Sequence, residues 1–420
     1  MKREFHKLTD DNRPWYLVIT PFFPTPEKFN GPFIYDQVKA IERTGRYRIA
    51  VFKPGGYRCA SSQEYEYMGV RVRMFPSVQS PSYFMNGITF GLNSWLFVRC
   101  FAYWDINVDE IAVVHTHTSN CASMGLSLKR MNHNIILINQ HHERDPLCIL
   151  NGRLSSWLPN LWFRAWTACR LYRKMDWHVS VSRVVDDNLR LFPMASAFED
   201  YPPYLARISK LRWMKHIGNL RTIVLYNGVD TSLFYPKSEL KPKSKFFKIG
   251  CVGNFIDLKD QMSLIRAVEF LVRERGITML RLFLLGSGPL LKQCKSYVVD
   301  HGLEDFILFE EERDHSLLCD YYNSLDLFVL PSLFEGFGCV FTEAYACGVP
   351  FMVCDGQGAA EYIHEADREH WIIPKHDPIG IANKISDYIA NRWEFRIVHP
   401  ISIDTLVTEF LDTIDPQKND

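Results

Sequence analysis

The sequence is short of several features that would settle a function early. It carries no surplus of charge, with Lys+Arg and Asp+Glu at 48 each, so net electrostatics offers no case for a nucleic acid partner, and none is expected. Its eleven cysteines form no CxxC pair and stand at no metal-ligand spacing from the histidines. That pattern reads as reduced, mostly buried thiols of a cytoplasmic chain, neither a disulfide framework nor a zinc site. Met1 to Pro14 is polar and lacks the apolar core of a signal peptide. Met85 to Trp104 is interrupted by Asn86, Asn93 and Arg99, which suits a partly buried helix better than a membrane span. No Asp-x-Asp pair suggests a metal-holding site. Asp186-Asp187 falls in a helical pattern, and neither a metal nor a cofactor is expected.

What is present is a globular composition long enough for two domains. Short apolar runs alternate with helical patterns: Trp15–Thr20, Arg48–Phe52, Ile111–His115, Ile135–Ile138, His178–Val181 and Thr222–Leu225. A helical stretch follows the first run, from Phe33 to Thr44. The alternation lapses in the charged, Pro-containing segment around Pro236–Phe246. It resumes with Lys248–Val252, Leu280–Leu285, Phe306–Phe309, Leu327–Leu330 and Pro350–Val353. Runs apolar on both sides and separated by helices predict α/β domains with doubly wound parallel sheets. The expected division is an N-terminal Rossmann-like domain over 1–235, a linker over 236–247, a C-terminal Rossmann-like domain over 248–395, and a terminal helix and tail over 396–420. Such sheets bind ligands at the carboxyl ends of their strands, so two of them facing each other make a cleft.

The strongest local signal follows Leu327–Leu330. Pro331-Ser-Leu-Phe-Glu335-Gly336-Phe337-Gly338 reads as a Gly-rich turn, and Cys339 onward as a helix closed by Gly348. Gly336 and Gly338 let backbone N–H groups approach a ligand, and the helix N-terminus favours a phosphate or sugar oxygen. Glu343, in the helix, lies roughly 10 Å from Glu335 at the usual helical rise, too far to share a proton but suited to gripping two ends of one long ligand.

This segment resembles the E-x7-E motif of glycosyltransferase family 4, retaining enzymes with the two-domain GT-B fold. Val252-Gly-Asn254-Phe255 through Lys259-Asp260, Leu284-Leu-Gly286-Ser-Gly288-Pro289 and Tyr226-Asn-Gly-Val-Asp230 are similar to other family motifs. The likeness covers most of 15–395 and is more specific in the second half. It implies that Glu343 holds the ribose hydroxyls of a nucleotide and that Glu335 contacts the donor sugar. It further implies that Gly336, Phe337 and Gly338 bind sugar or distal phosphate through their amides, and that Lys259 binds phosphate. Asn254 stands where the family commonly has Arg. Gly286 and Gly288 are turn glycines that touch the donor under the same implication, and Gly31 lets its loop approach the donor. His117 matches an active-site histidine near sugar and acceptor, with Glu335 and Lys259 completing the catalytic set. His141, with His142, Glu143 and Arg144 close by, is placed on the acceptor side.

The implied activity is metal-independent, retaining transfer of a hexosyl group from a nucleotide diphosphate sugar, acting as co-substrate, to a glycan or lipid-linked acceptor. Bacterial surface polysaccharide synthesis is the expected setting. A nucleotide-sugar 2-epimerase of the same fold and a non-catalytic sugar-nucleotide-binding relative remain alternatives. An aromatic-basic stretch, including Trp157, Trp162, Arg164, Trp166, Arg170, Arg173, Lys174, Arg207, Lys210, Arg212, Trp213, Lys215 and Arg221, raises peripheral contact with the anionic inner face of the membrane. A solvated face on helices packed against the first domain is the other reading.

Overall fold

The computed structural model describes residues 11–26, 30–78, 87–142, 163–190 apart from 164, 165, 168 and 169, 220–237 and 244–415. Much of the aromatic-basic stretch, together with Glu143, Arg144 and the middle of the expected linker, lies outside these residues.

Two parallel sheets dominate. The first holds β1 (Trp15–Ile19), β2 (Arg48–Pro54), β3 (Glu64–Tyr67), β4 (Val70–Phe75), β5 (Ile111–His117), β6 (Ile136–His141), β7 (Trp177–Ser180) and β8 (Thr222–Val224). Their spatial order is β3-β4-β2-β1-β5-β6-β7-β8. All pairs are parallel except β3 with β4. The second holds β9 (Phe247–Val252), β10 (Leu280–Leu285), β11 (Ile307–Glu310), β12 (Leu327–Leu330), β13 (Phe351–Cys354) and β14 (Ile372–Ile373), in the order β11-β10-β9-β12-β13-β14, all parallel. β12 and β13 are buried at every position, as a sheet covered on both faces requires.

The helix Pro32–Arg43 shows how local pattern and packing agree. Gly31 takes the left-handed conformation at its N-cap (φ 81°) and Pro32 fits the first turn, while Ile34, Val38 and Ile41 turn inward at helical spacing. The helix Phe90–Phe101 lies inside the interrupted apolar stretch and buries Asn93, Phe97, Cys100 and Phe101. No helix among the described residues is long and apolar enough to cross a membrane.

Two features depart from the sequence reading. The β3–β4 hairpin is absent from the sequence reading; its strands turn at Met68 and Gly69, both with positive φ. The terminal helix, Ile403–Ile414, crosses back to the first domain. Val229 pairs with Ser402, Arg43 donates to Asp404 at 2.7 Å, and Arg46 forms an ion pair with Asp412 at 2.5 Å. Tyr47 donates to Asp415 at 3.3 Å. The C-terminal segment therefore forms a second connection between the domains.

Candidate active site

The carboxyl ends of both sheets meet between the domains, where Gly336 abuts His142 and Asp36 faces His315 and Glu343. From the second domain, Lys259 ends a short turn after β9 and forms an ion pair with Glu335, whose Oε1 also accepts from Ser332 Oγ at 2.6 Å. The turn ends at Gly338 (φ 89°), the N-cap of the helix Cys339–Ala346. This left-handed residue aims the helix N-terminus at the turn, as anion binding requires.

Glu343 lies in that helix and is buried. Its Oε1 accepts from His315 Nε2 at 2.9 Å and its Oε2 from Tyr322 Oη at 2.8 Å. Burial pushes His315 down, but the hydrogen bond and charge of Glu343 outweigh it and leave the imidazole above its ordinary value. The third charge comes from the other domain. Asp36, on Pro32–Arg43, is 8% exposed, and burial raises its carboxyl to about 7, the neighbouring His315 pulling down and Glu343 pushing up. Neither His315 nor Asp36 carried a signal of its own in the sequence.

The turns around Asn254 explain two glycines sterically. A Cβ on Gly286 would overlap the Gly253 carbonyl oxygen, and one on Gly288 would stand 2.6 Å from that of Phe255. The two loops are thus locked back to back, with Phe255 N–H donating to the Ser287 carbonyl at 2.8 Å. Asn254 itself is exposed beside this lock. Gly31 is required where a Cβ would meet Phe22 Cβ at 2.9 Å.

From the first domain, β5 delivers His117 at its end, buried and joined through Nδ1 to His142 Nε2 at 2.9 Å. His115, His117 and His142 form a stack with centroid separations of 4.7 and 5.1 Å. Tyr16 Oη closes its inner end against His115 Nδ1 at 2.7 Å. Burial, then His115 and His142, hold His117 well below the usual imidazole range. It is therefore neutral at pH 7, able to accept or donate one hydrogen bond through each nitrogen.

One placement corrects the sequence reading. His141 is fully buried and does not face the cleft; its Nε2 meets His178 Nδ1 at 3.0 Å and Asn139 Nδ2 at 3.2 Å. Side chains alternate along a strand, so the neighbour, His142, reaches His117. Phe337 turns its ring into an aromatic cluster with Tyr226 and Tyr362, at 6.0 and 5.6 Å, leaving only backbone for a ligand. The domains touch at Gly336, where a side-chain methyl would overlap the His142 carbonyl oxygen.

Comparison with known proteins agrees with this fold. Sucrose-phosphate synthase from Thermosynechococcus elongatus superposes with a TM-score of 0.67 at 17% identity, covering 96% of this chain and 97% of that one. Anabaena HepE in complex with UDP and glucose gives 0.60 at 16%, covering 97% and 98%. By sequence, the Rhizobium meliloti lipopolysaccharide core biosynthesis mannosyltransferase LpsB is 32% identical over 168 residues, 37% of this chain and 47% of that protein. The chain matches between about a third and a half of the length of such curated relatives. Two parallel-sheet domains closing on one cleft are the GT-B fold, and within it residues 247–391 match the family model Glycosyl transferases group 1.

Proposed function

We propose that the chain is a retaining, metal-independent glycosyltransferase of family 4 type, moving a hexosyl group from a nucleoside diphosphate sugar to a glycan or lipid-linked acceptor. The observation that carries this reading is the convergence of Lys259, Glu335 and the Gly336–Gly338 amides on one side of a contact with His142 and His117 on the other. In this reading the ribose hydroxyls lie on Glu343, the diphosphate on Lys259 and the helix N-terminus at Gly338, and the sugar at Glu335. The anomeric carbon–oxygen bond to phosphate breaks, and the acceptor oxygen bonds to the same face of that carbon. The acceptor proton passes to the departing phosphate oxygen. Fixed donors and Lys259 stabilise the charge that grows on that phosphate.

Neutral His117, steadied by His142, suits a hydrogen bond to a sugar or acceptor hydroxyl, because an imidazolium would compete with Lys259 for the phosphate. The mannosyltransferase LpsB supports a surface polysaccharide acceptor, and HepE supports UDP among the candidate nucleotides.

Thermal shift with UDP, GDP, ADP and CMP in EDTA, on wild type and Lys259→Gln, tests the donor site. A nucleotide at about 100 times its Kd stabilises by roughly 2.7 kcal/mol. One nucleoside diphosphate is expected to shift the wild type clearly and the variant much less. No shift by any nucleotide, or a shift only on adding a metal, refutes the proposal.

A further inference from the structure

The donor turn is held from behind by a contact that the E-x7-E segment does not include. Glu361 stands in the short turn Gly358–Tyr362 of the second domain. Its carboxylate accepts from the backbone N–H groups of Arg183 at 2.9 Å and Val184 at 2.8 Å. These begin the helix Arg183–Arg190, which belongs to the first domain. Tyr226, also of the first domain, donates its hydroxyl to Glu361 Oε2 at 2.9 Å. The leading amides of a helix lack internal acceptors and carry the positive end of its dipole, so an approaching carboxylate is bound strongly.

Ser182 works from the same point. Its hydroxyl accepts from Val185 N–H at 3.2 Å and donates to the Gly336 carbonyl at 2.5 Å. Gly358 closes the junction; a Cβ there would stand 2.5 Å from the Gly336 oxygen and 2.8 Å from Ser182 Cβ. One helix N-terminus is therefore capped by both domains at once, and the residue clamped between them is Gly336, which rests on His142.

We propose that Glu361 is a positioning residue that latches the two domains and seats the Gly336 turn against His142 and His117. The proposal rests on reading the cleft as a donor–acceptor site. The residues assigned above to the nucleotide and sugar, Lys259, Glu335 and Glu343, all belong to the second domain, as does His315, the partner of Glu343. Nucleotide binding does not require the latch, whereas bringing His117 to the sugar does. Loss of the latch should lower turnover and spare nucleotide affinity.

Glu361→Ala and the near-isosteric Glu361→Gln, in the full chain, separate the possibilities. Hydrogen exchange over 182–186 reads the latch, calorimetry with UDP, GDP and ADP reads the nucleotide site, and sugar release from UDP-glucose and GDP-mannose reads turnover. The expected result for Glu361→Ala is exchange at least tenfold faster, Kd within twofold of wild type, and kcat at least tenfold lower. Glu361→Gln, which keeps one acceptor, should recover part of both losses, and it serves alone if the alanine variant does not fold. Unchanged exchange overturns the latch, and so does a rise in Kd that matches the fall in kcat. If no nucleotide binds the wild type, the donor reading fails, while the exchange rates still decide whether Glu361 latches the domains.

Discussion

Asp36 should make this protein lose stability as the pH rises from 5 to 8, and replacing it with Asn should remove most of that loss. An acid whose folded pKa lies above its unfolded value contributes stability that is complete below the unfolded value and declines as pH rises through the folded one. For Asp36 the window runs from 3.8 to about 7. Three units at 1.36 kcal/mol each make a cost of about 4 kcal/mol above pH 7, of which about 1.6 is already incurred at pH 5. The remaining change is roughly 2.5 kcal/mol. At about 2.1 cal/mol/K of unfolding entropy per residue, this chain should respond by roughly 3 °C. Thermal melts of wild type and Asp36→Asn at both pH values, at one ionic strength, measure it. The wild type is expected to drop by about 3 °C more than the variant. The groups facing Asp36, namely His315, Glu343, Asp230 and Arg43, are present in both proteins, so their own titration largely cancels. Parallel melts would mean that Asp36 is ionised throughout, its charge balanced by His315 and Arg43, and the argument from burial would be refuted.

Gly336→Ala should force the Gly-rich turn away from the His142 carbonyl; under the proposed function, sugar release should fall at least tenfold while nucleoside diphosphate affinity, by calorimetry, stays within a few-fold. Glu343→Ala should destabilise by about 3 kcal/mol at pH 6, where it leaves the buried, protonated His315 without its partner. Because His315 titrates above its ordinary value, its contribution is full below the unfolded pKa and is lost as pH rises through the folded one. The melting difference from wild type should therefore shrink by pH 9, and a difference that is constant across that range counts against the charged pair.

The parallel α/β pattern of both domains was legible because a strand buried on both faces must be apolar at successive positions, a property of four to seven adjacent residues. The Glu335–Glu343 spacing and the glycines around it were legible for the same reason: turn, helix start and carboxylate lie within one short segment. The likeness of residues 247–391 to a known family rests on such segments. The β3–β4 hairpin was harder to read, since Glu64-Tyr-Glu-Tyr67 is an exposed edge strand with no continuous apolar run.

The assembly of the site depended on tertiary structure. His141 and His142 are adjacent in sequence, and only the pleat of β6 decides which reaches His117. Phe337 sits inside the motif, yet the aromatic cluster formed with Tyr226 and Tyr362 takes its ring away from the cleft. Glu361 gains its meaning from a partner 178 positions away, Asp36 and His315 from each other across the two domains, and the terminal helix binds Arg43 across 361. Local periodicity and turn chemistry wrote the two sheets and the Gly-rich turn into the sequence. The charges, hydrogen bonds and close backbone contacts that join one domain to the other exist only once both have folded.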